Sequence, residues 1–584
     1  MLRFRLSPFV SFVESHLIPG VVQHGVFHRL TGEVLEPSER IRALLHAATM
    51  GNCISLNDKN LTSFGQEGAQ LEQIFKKDFL IEIDSDPLTP FLGQHVIRPL
   101  QNPALMYQAK GGEISLVHTS MAHRVYSPAT NDLPKITEEP VPPLSAEIFK
   151  LADGKKTLVE ITNLLLVNDH TDFHQSLREA IDFLTAPERQ LVKFTRQLED
   201  MDNPFKPFNC VPRSFYHSSR WDASSRPETP ELQRDFHLHG IEDSSWEFDQ
   251  IEPTLNHAFR FSSEVLGGFD YGARFCQVAM RPEVLPQLPD LVTLRVLEVG
   301  GGTGSFARSF IQQAKQLDHA HGVKLDYYIL DLSPVLMECQ KELLGDLLPA
   351  ANHFHQDATE FNIPERTFDL IIANEVIADF PVAEIHRRSG ESSTAQPRTL
   401  NSKVWEGSGA DYLKRYDLED EGSPDHYLIN AGAFRFIERA WQHLSPGGTL
   451  IITEYGAEHR YPAQSFHLNH EEYSIHFGHL KRCAAKVGFS SRLLALSDFL
   501  GVDDKVLVLN GREERILCLN HILRKYGLSI PYSVISKSEF DCRFREIVED
   551  LEMTGLSFSP LYRAFYYGPR MDDFMALILN KPFI

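Results

Sequence analysis

The stretch LRVLEVGGGTGSFA, from Leu294 to Ala307, constrains this chain more than any other. A run of branched and long apolar residues meets a glycine turn, and an amphipathic pattern follows, which predicts a strand, a tight loop and a helix. A chain that leaves a buried strand and enters a helix within a few residues must pass through positive φ and let a ligand approach bare backbone, and glycine does both. The helix that follows offers unpaired N–H groups at its N-terminus.

Two kinds of cofactor use such a loop. Counted from Gly302, the run through Gly304 to Ala307 fits the dinucleotide fingerprint with alanine in third place. Counted from Glu298, the pattern is acidic-x-Gly-x-Gly-x-Gly, with Gly300, Gly302 and Gly304 in the repeat and Gly301 between them. It resembles motif I of the S-adenosylmethionine (SAM) methyltransferases. Only this second pattern accounts for Glu298, which would repel a pyrophosphate but can orient the cationic amino-acid end of SAM, directly or through water.

Downstream segments favour the same choice. YYILDLSP, residues 327–334, predicts a second strand ending at Asp331 and Leu332, where a carboxylate can accept both hydroxyls of an adenosine ribose. A helix is expected from Val335 to Leu344; after it, His355-Gln-Asp357 closes a third edge, with Asp357 and Ala358 set to meet the adenine amino group. TFDLIIANE, residues 367–375, predicts a fourth strand with Asn374 and Glu375 at its end, where open α/β sheets bind ligands.

The succession EVGGGTGSFA, YYILDLSP, FDLIIANEVIADFPV and GGTLIITEYG, closing on EEYSIHFGHLKRCAAKVGF, is similar to a family of SAM-dependent methyltransferases. That family includes the mitochondrial complex I assembly-factor arginine methyltransferase and its bacterial relatives, and the resemblance covers roughly residues 260–500. It implies an α/β fold with a Rossmann-like class I methyltransferase sheet and SAM as cofactor. Asn374, Glu375, Pro381 and Val382 keep the family pattern after strand four, but Ala378 stands where the family has Asp, and Asp379 comes one place later. The family's Asp-Ile-Thr-x-His segment appears as Glu472-Tyr-Ser-Ile-His476, which makes His476 a substrate-side residue, and Tyr455 is placed beside it.

At 584 residues the chain has room for roughly three or four domains. The formal charge, 57 − 79 = −22, disfavours nucleic acid and favours a basic or neutral protein partner. Seven scattered cysteines without CxxC fit a reducing compartment, with neither a disulfide frame nor a zinc ribbon. No apolar run approaches the roughly 18 residues of a membrane span. A soluble, cytoplasmic protein is expected, of undetermined oligomeric state.

The N-terminal region predicts two winged-helix-like α+β modules, 1–90 and 91–200. In the first, residues 21–36 form a hairpin around Thr31-Gly32, Ser38 caps a helix from Glu39 to Ala48, and a second helix covers Leu71 to Phe79. In the second, Met106 to Val117 turn at Gly111-Gly112, Thr157 and Glu160 form a capping box, and Phe173, Leu177, Ile181 and Leu184 share one helical face. The string AEIFKLADGKKTLVEI resembles the peptide-chaperone domain of pyrroloquinoline quinone biosynthesis, the leader-recognition module of enzymes that modify ribosomally made peptides. A structural helical insert is the plainer alternative.

Residues 201–250 are expected to be a connector, with a helix over Trp246 to Glu252 and another from Thr254 to Val265. The methyltransferase domain spans 251–500, with Tyr271 placed to lie over SAM or to pack under a loop. A polar insertion, Arg387 to Asp425, is expected to act as a substrate lid. His467 with His470 and His476 with His479 raise zinc, but match no closed site, and no metal is expected. Residues 501–584 are an accessory part of the same domain.

A methyl displacement from a sulfonium needs a nucleophile held in line at about 3–3.5 Å. For a guanidinium or amide nitrogen, carboxylates must also bind the N–H groups, and Glu375 is the leading candidate, with Asn374, Asp379 and Glu454 beside it. The expected function is N-methylation of a side-chain nitrogen, Asn amide first, in a precursor peptide recruited by the N-terminal modules. Protein arginine methylation and a non-catalytic assembly role are the alternatives, with a dinucleotide oxidoreductase a distant third.

Overall fold

The computed structural model describes residues 2–18, 21–31, 33–49, 54–56, 67–93, 95–99, 104–109, 112–119, 136–165, 173–186, 189, 191–196, 254–364, 367–386, 409–418, 423–424, 426–467, 470–509, 513–530, 534–561 and 573–583. The expected connector, the helix at Trp246 and most of the polar insertion lie outside these residues. Two compact units form. One comprises Met1–Arg226, Asn510–Pro531 and Phe540–Phe558; the other comprises Pro227–Leu509, Tyr532–Glu539 and Ser559–Ile584.

The second unit is built on a large sheet whose strands, in chain order, are β1 (Thr293–Val299), β2 (Lys324–Asp331), β3 (His353–His355), β4 (Phe368–Asn374), β5 (Leu444–Ala457), β6 (Ser490–Ala495) and β7 (Phe574–Asn580). They lie in the order β3-β2-β1-β4-β5-β7-β6. The first five are mutually parallel, and β7 is antiparallel to both β5 and β6. This is the α/β class I methyltransferase arrangement that the sequence predicts. The switch in strand order falls between β1 and β4, where sheets of this kind bind ligands.

The near-continuous apolar runs follow from burial on both faces. Leu294 and Val296 of β1 join one core with α1 (Tyr271–Ala279) and α2 (Ser305–His321). Leu297 and Val299 join the other with α4 (Ala431–His443) and α5 (Phe477–Val487). Between α2 and α4 in the chain lies α3 (Pro334–Leu344), whose N-cap Ser333 accepts from Leu336 N. Past β7, Lys581 Nζ donates at 2.8 Å to the carbonyls of Trp441 and Leu444, closing the C-terminal end of α4.

In place of one helix over Thr254 to Val265 there are a helical turn, Leu255–Ala258, and a 3₁₀ turn, Glu264–Leu266, that Ser263 caps. β5 begins at Leu444, ahead of the Gly447-Gly448 pair.

The first unit contains the expected hairpins, Val21–His28 with Glu33–Leu35 and Ala104–Ala109 with Ile114–Thr119. Ser38 caps the helix Glu39–Ala47. The capping box is present: Thr157 N donates to Glu160 Oε2 at 2.7 Å, and Glu160 N to Thr157 Oγ1 at 3.2 Å. Leu177, Ile181 and Leu184 are buried on one face of Phe173–Thr185.

The far end of the chain completes this unit. Strand Leu551–Thr554 pairs with Ala104–Ala109, making the sheet four-stranded, and helix Glu513–Arg524 packs on the same sheet. Residues 501–584 are thus divided between the two units. Burial pushes the Glu138 carboxyl up, but hydrogen bonds from Lys525, Tyr107 and His521 outweigh it and bring the pKa down to about 2. Lys525 Nζ reaches both Glu138 oxygens, at 2.7 and 2.6 Å.

Candidate functional site

The glycine loop leaves β1 at Gly300, where φ is 71° and N–H donates to Leu330 O at 2.9 Å. A Cβ there would stand 2.5 Å from Val376 Cγ2, so both space and dihedral demand glycine. Gly302, at φ 51°, differs: a Cβ on it would meet nothing within 4 Å. The loop is open at Gly302, as a cradle for a cofactor approaching bare backbone must be. Gly304 N donates to Gly301 O at 2.9 Å, closing the turn into α2.

Asp331 ends β2, and its carboxylate is fixed from two sides. Oδ1 accepts from Ser333 N at 2.9 Å and Oδ2 from Gln340 Nε2 at 2.7 Å. The neighbouring Leu332 carbonyl pairs with His355 Nε2 at 3.0 Å. Asp357 Oδ1 accepts from Thr359 N at 2.8 Å and Thr359 Oγ1 at 2.7 Å, and Ala358 is buried. Gln340 is a residue the motifs did not point to. Its signal was a polar side chain on the helical face otherwise formed by the buried Leu336, Met337 and Leu344.

Glu298 is 2% exposed and accepts from Tyr327 OH at 2.9 Å. Burial, and secondarily the charge of Asp331, push its pKa up to about 8, against the hydrogen bond from Tyr327. In the unfolded chain Glu298 releases its proton near pH 4.5, while the folded, cofactor-free protein keeps it to about pH 8, so stability falls as pH rises through that window. Glu298→Gln should abolish this slope and gain on the parent by on the order of 4 kcal/mol at the alkaline end. Thermal unfolding across the window checks it; parallel pH profiles for the two proteins would refute it.

The candidate catalytic residues gather at the ends of β4 and β5. Asn374 Oδ1 accepts from Tyr271 OH at 2.8 Å and from Thr453 Oγ1 at 2.7 Å, which turns its amide nitrogen towards Glu375 Oε1 at 3.4 Å. Tyr271 is fully buried, and burial first, then Glu375, drives its pKa well above the usual value. Glu375 has φ 49°, an uncommon backbone for a residue with a Cβ. Its N–H donates to Thr453 O at 2.9 Å, and its carboxylate accepts from Leu255 N at 3.2 and 3.1 Å.

Glu454, 3% exposed, accepts from Tyr455 N at 2.8 Å and Ala378 N at 3.2 Å. Burial drives its pKa well up, and the charges of Glu375 and Asp379 add to this. Asp379 closes the 3₁₀ turn Ile377–Asp379. Tyr455 is exposed and meets Phe574 edge-on. His476 is buried, caps α5 by accepting from His479 N at 3.2 Å, and stacks on the His479 ring. Positions 467 and 470 are register partners in an antiparallel hairpin. Among the described residues no helix is long and apolar enough to cross a membrane.

Residues 280–479 match the family described as "Putative S-adenosyl-L-methionine-dependent methyltransferase". A stretch of 79 residues, 14% of this chain, is 38% identical to malonyl-[acyl-carrier protein] O-methyltransferase 1 of Ilyobacter polytropus. The chain spans about a quarter, 26%, of that relative's length. Among solved structures, an uncharacterized protein from Burkholderia thailandensis is 18% identical, with 58% of this chain and 87% of that one covered and a TM-score of 0.33. A Burkholderia thailandensis structure bound to S-adenosyl-homocysteine is 18% identical, covering 58% and 88%, with a TM-score of 0.31. The strand order that carries the site is that of class I methyltransferases, and the family match falls on the same part of the chain.

Proposed function

We propose that this chain transfers a methyl group from SAM to a side-chain nitrogen of a peptide or protein, with a cationic guanidinium as the preferred acceptor. The observation that carries this is the approach of Glu375, Glu454 and Asp379 to one another beside Asn374. Bound SAM supplies an electrophilic methyl group for in-line displacement. The protein supplies position and charge: carboxylates match the forked N–H groups of a guanidinium, and a cation beside them offsets the charges of Glu375 and Asp379, which add to the burial that raises the Glu454 pKa. Holding those N–H groups localises the lone pair on the attacking nitrogen, and a carboxylate takes up the proton that this nitrogen sheds as the N–C bond forms.

A precursor-peptide route with an Asn acceptor is the second reading, favoured by the Asp153-Gly154 turn and the Thr157–Glu160 capping box that match the leader-recognition pattern. Incubation with methyl-labelled SAM and a cell extract, followed by amino-acid analysis, separates the two. Methylarginine supports the first reading and N-methylasparagine the second. SAM binding without transfer to any protein supports an assembly role. On the cofactor side, Asp331→Ala should weaken SAM by roughly 1.5–3 kcal/mol in calorimetry, as for a lost hydrogen bond to a charged group; unchanged affinity would remove Asp331 from the cofactor site.

A further inference from the structure

Gln340 serves two elements from the middle of α3. Its Nε2 donates to the Gly302 carbonyl at 2.9 Å and to Asp331 Oδ2 at 2.7 Å. The side chain is 0% exposed, and its Oε1 has no hydrogen-bond partner. Turning the amide over would set Oε1 against a carbonyl and a carboxylate, two acceptors, so one orientation is imposed. The glycines frame the same side chain: a Cβ on Gly301 would lie 3.0 Å from Gln340 Nε2, and one on Gly304 3.2 Å from Gln340 Cα.

A buried acceptor left without a donor costs stability, and an apolar side chain of the same shape would avoid that cost. The gain that offsets it lies in the two donors. Gly302 follows β1 and Asp331 ends β2, and both direct oxygen atoms at the space that the Gln340 amide fills. Without the amide the two oxygens repel and the loop and carboxylate can drift apart. With it they are locked together before any ligand arrives, so ordering them is not charged against binding.

We infer that Gln340 is a positioning residue for the adenosyl cofactor, tying the glycine loop and the ribose-facing carboxylate of Asp331 into one pre-set cradle. The inference rests on the assignment of SAM to this site. Gln340 touches no reacting atom; it acts through Gly302 and Asp331.

Gln340→Met keeps length and volume while removing both donors and the orphaned acceptor. With both proteins held below their unfolding transitions, S-adenosyl-homocysteine, the probe, should bind Gln340→Met at least about tenfold more weakly in calorimetry. In an Asp331→Ala background the same change should weaken the probe by less than about twofold, because the two residues act as a unit. A parent protein that does not bind the probe removes the cofactor assignment itself. A parent that binds, with Gln340→Met binding equally well, overturns the inference, as does a loss of affinity that only tracks a loss of thermal stability. Should Gln340→Met fail to fold, Gln340→Asn decides the same question, since it keeps the amide but is one methylene too short to span both acceptors.

Discussion

Replacing Glu375 by Gln is expected to lower methyl transfer by about 10²-fold or more, while cofactor affinity and thermal unfolding stay close to the parent's. The substitution is mild for the fold. Leu255 N–H, which the carboxylate accepts at 3.1 and 3.2 Å, can be accepted by the amide oxygen, and the Thr453 contact is made by the Glu375 backbone. Glutamine is no worse than glutamate at φ 49°. What it loses is the charge that a guanidinium or amide acceptor needs as its lone pair is localised. Single-turnover transfer from labelled SAM reads the effect. A parent-like rate would remove Glu375 from the chemistry, and a collapse of thermal stability equal to the loss of rate would make its role one of folding.

Position 375 also shows what was legible in the sequence. The glycine loop, Asp331 and the Asn-Glu pair ending β4 could be read because each is set by local chain direction: a strand ends, a turn needs positive φ, and a carboxylate stands at the edge. The partners of those residues were not local. Thr453 holds both Asn374 and Glu375 because the register of β4 against β5 sets Asn374 opposite Thr453, which no sequence period encodes. Tyr271 reaches Asn374 from a helix more than a hundred positions earlier. The run FMALILN near the C-terminus has the composition of a strand buried on both faces, yet nothing in it says that it enters the sheet between β5 and β6. The split of the last residues between the two units is likewise a matter of long-range pairing.

That split determines how the role of the N-terminal region can be tested. Removing residues 1–204 is expected to yield an insoluble or aggregated protein rather than a methyltransferase that has merely lost its substrate recruiter. Helix Glu513–Arg524 buries Cys518, Leu519, Ile522 and Leu523, and strand Leu551–Thr554 hydrogen-bonds along Ala104–Ala109. The truncation strips the partners from both while leaving them attached to the remaining chain. Each large apolar side chain returned to water costs roughly 1.5–3 kcal/mol, and several together form a patch that associates. The orphaned strand adds an edge open to pairing with other chains. Soluble yield and size-exclusion chromatography check this; a monomeric truncated protein with a parent-like unfolding midpoint would overturn it. The recruitment hypothesis is better approached by substitution of exposed residues on helix Leu158–Leu165, where Val159 and Leu164 face solvent and can be made polar without disturbing either core. If this helix recruits the substrate, such changes raise the peptide concentration needed for half-maximal methylation and leave the rate at saturation unaltered, because binding energy spent far from the reacting nitrogen acts on effective concentration.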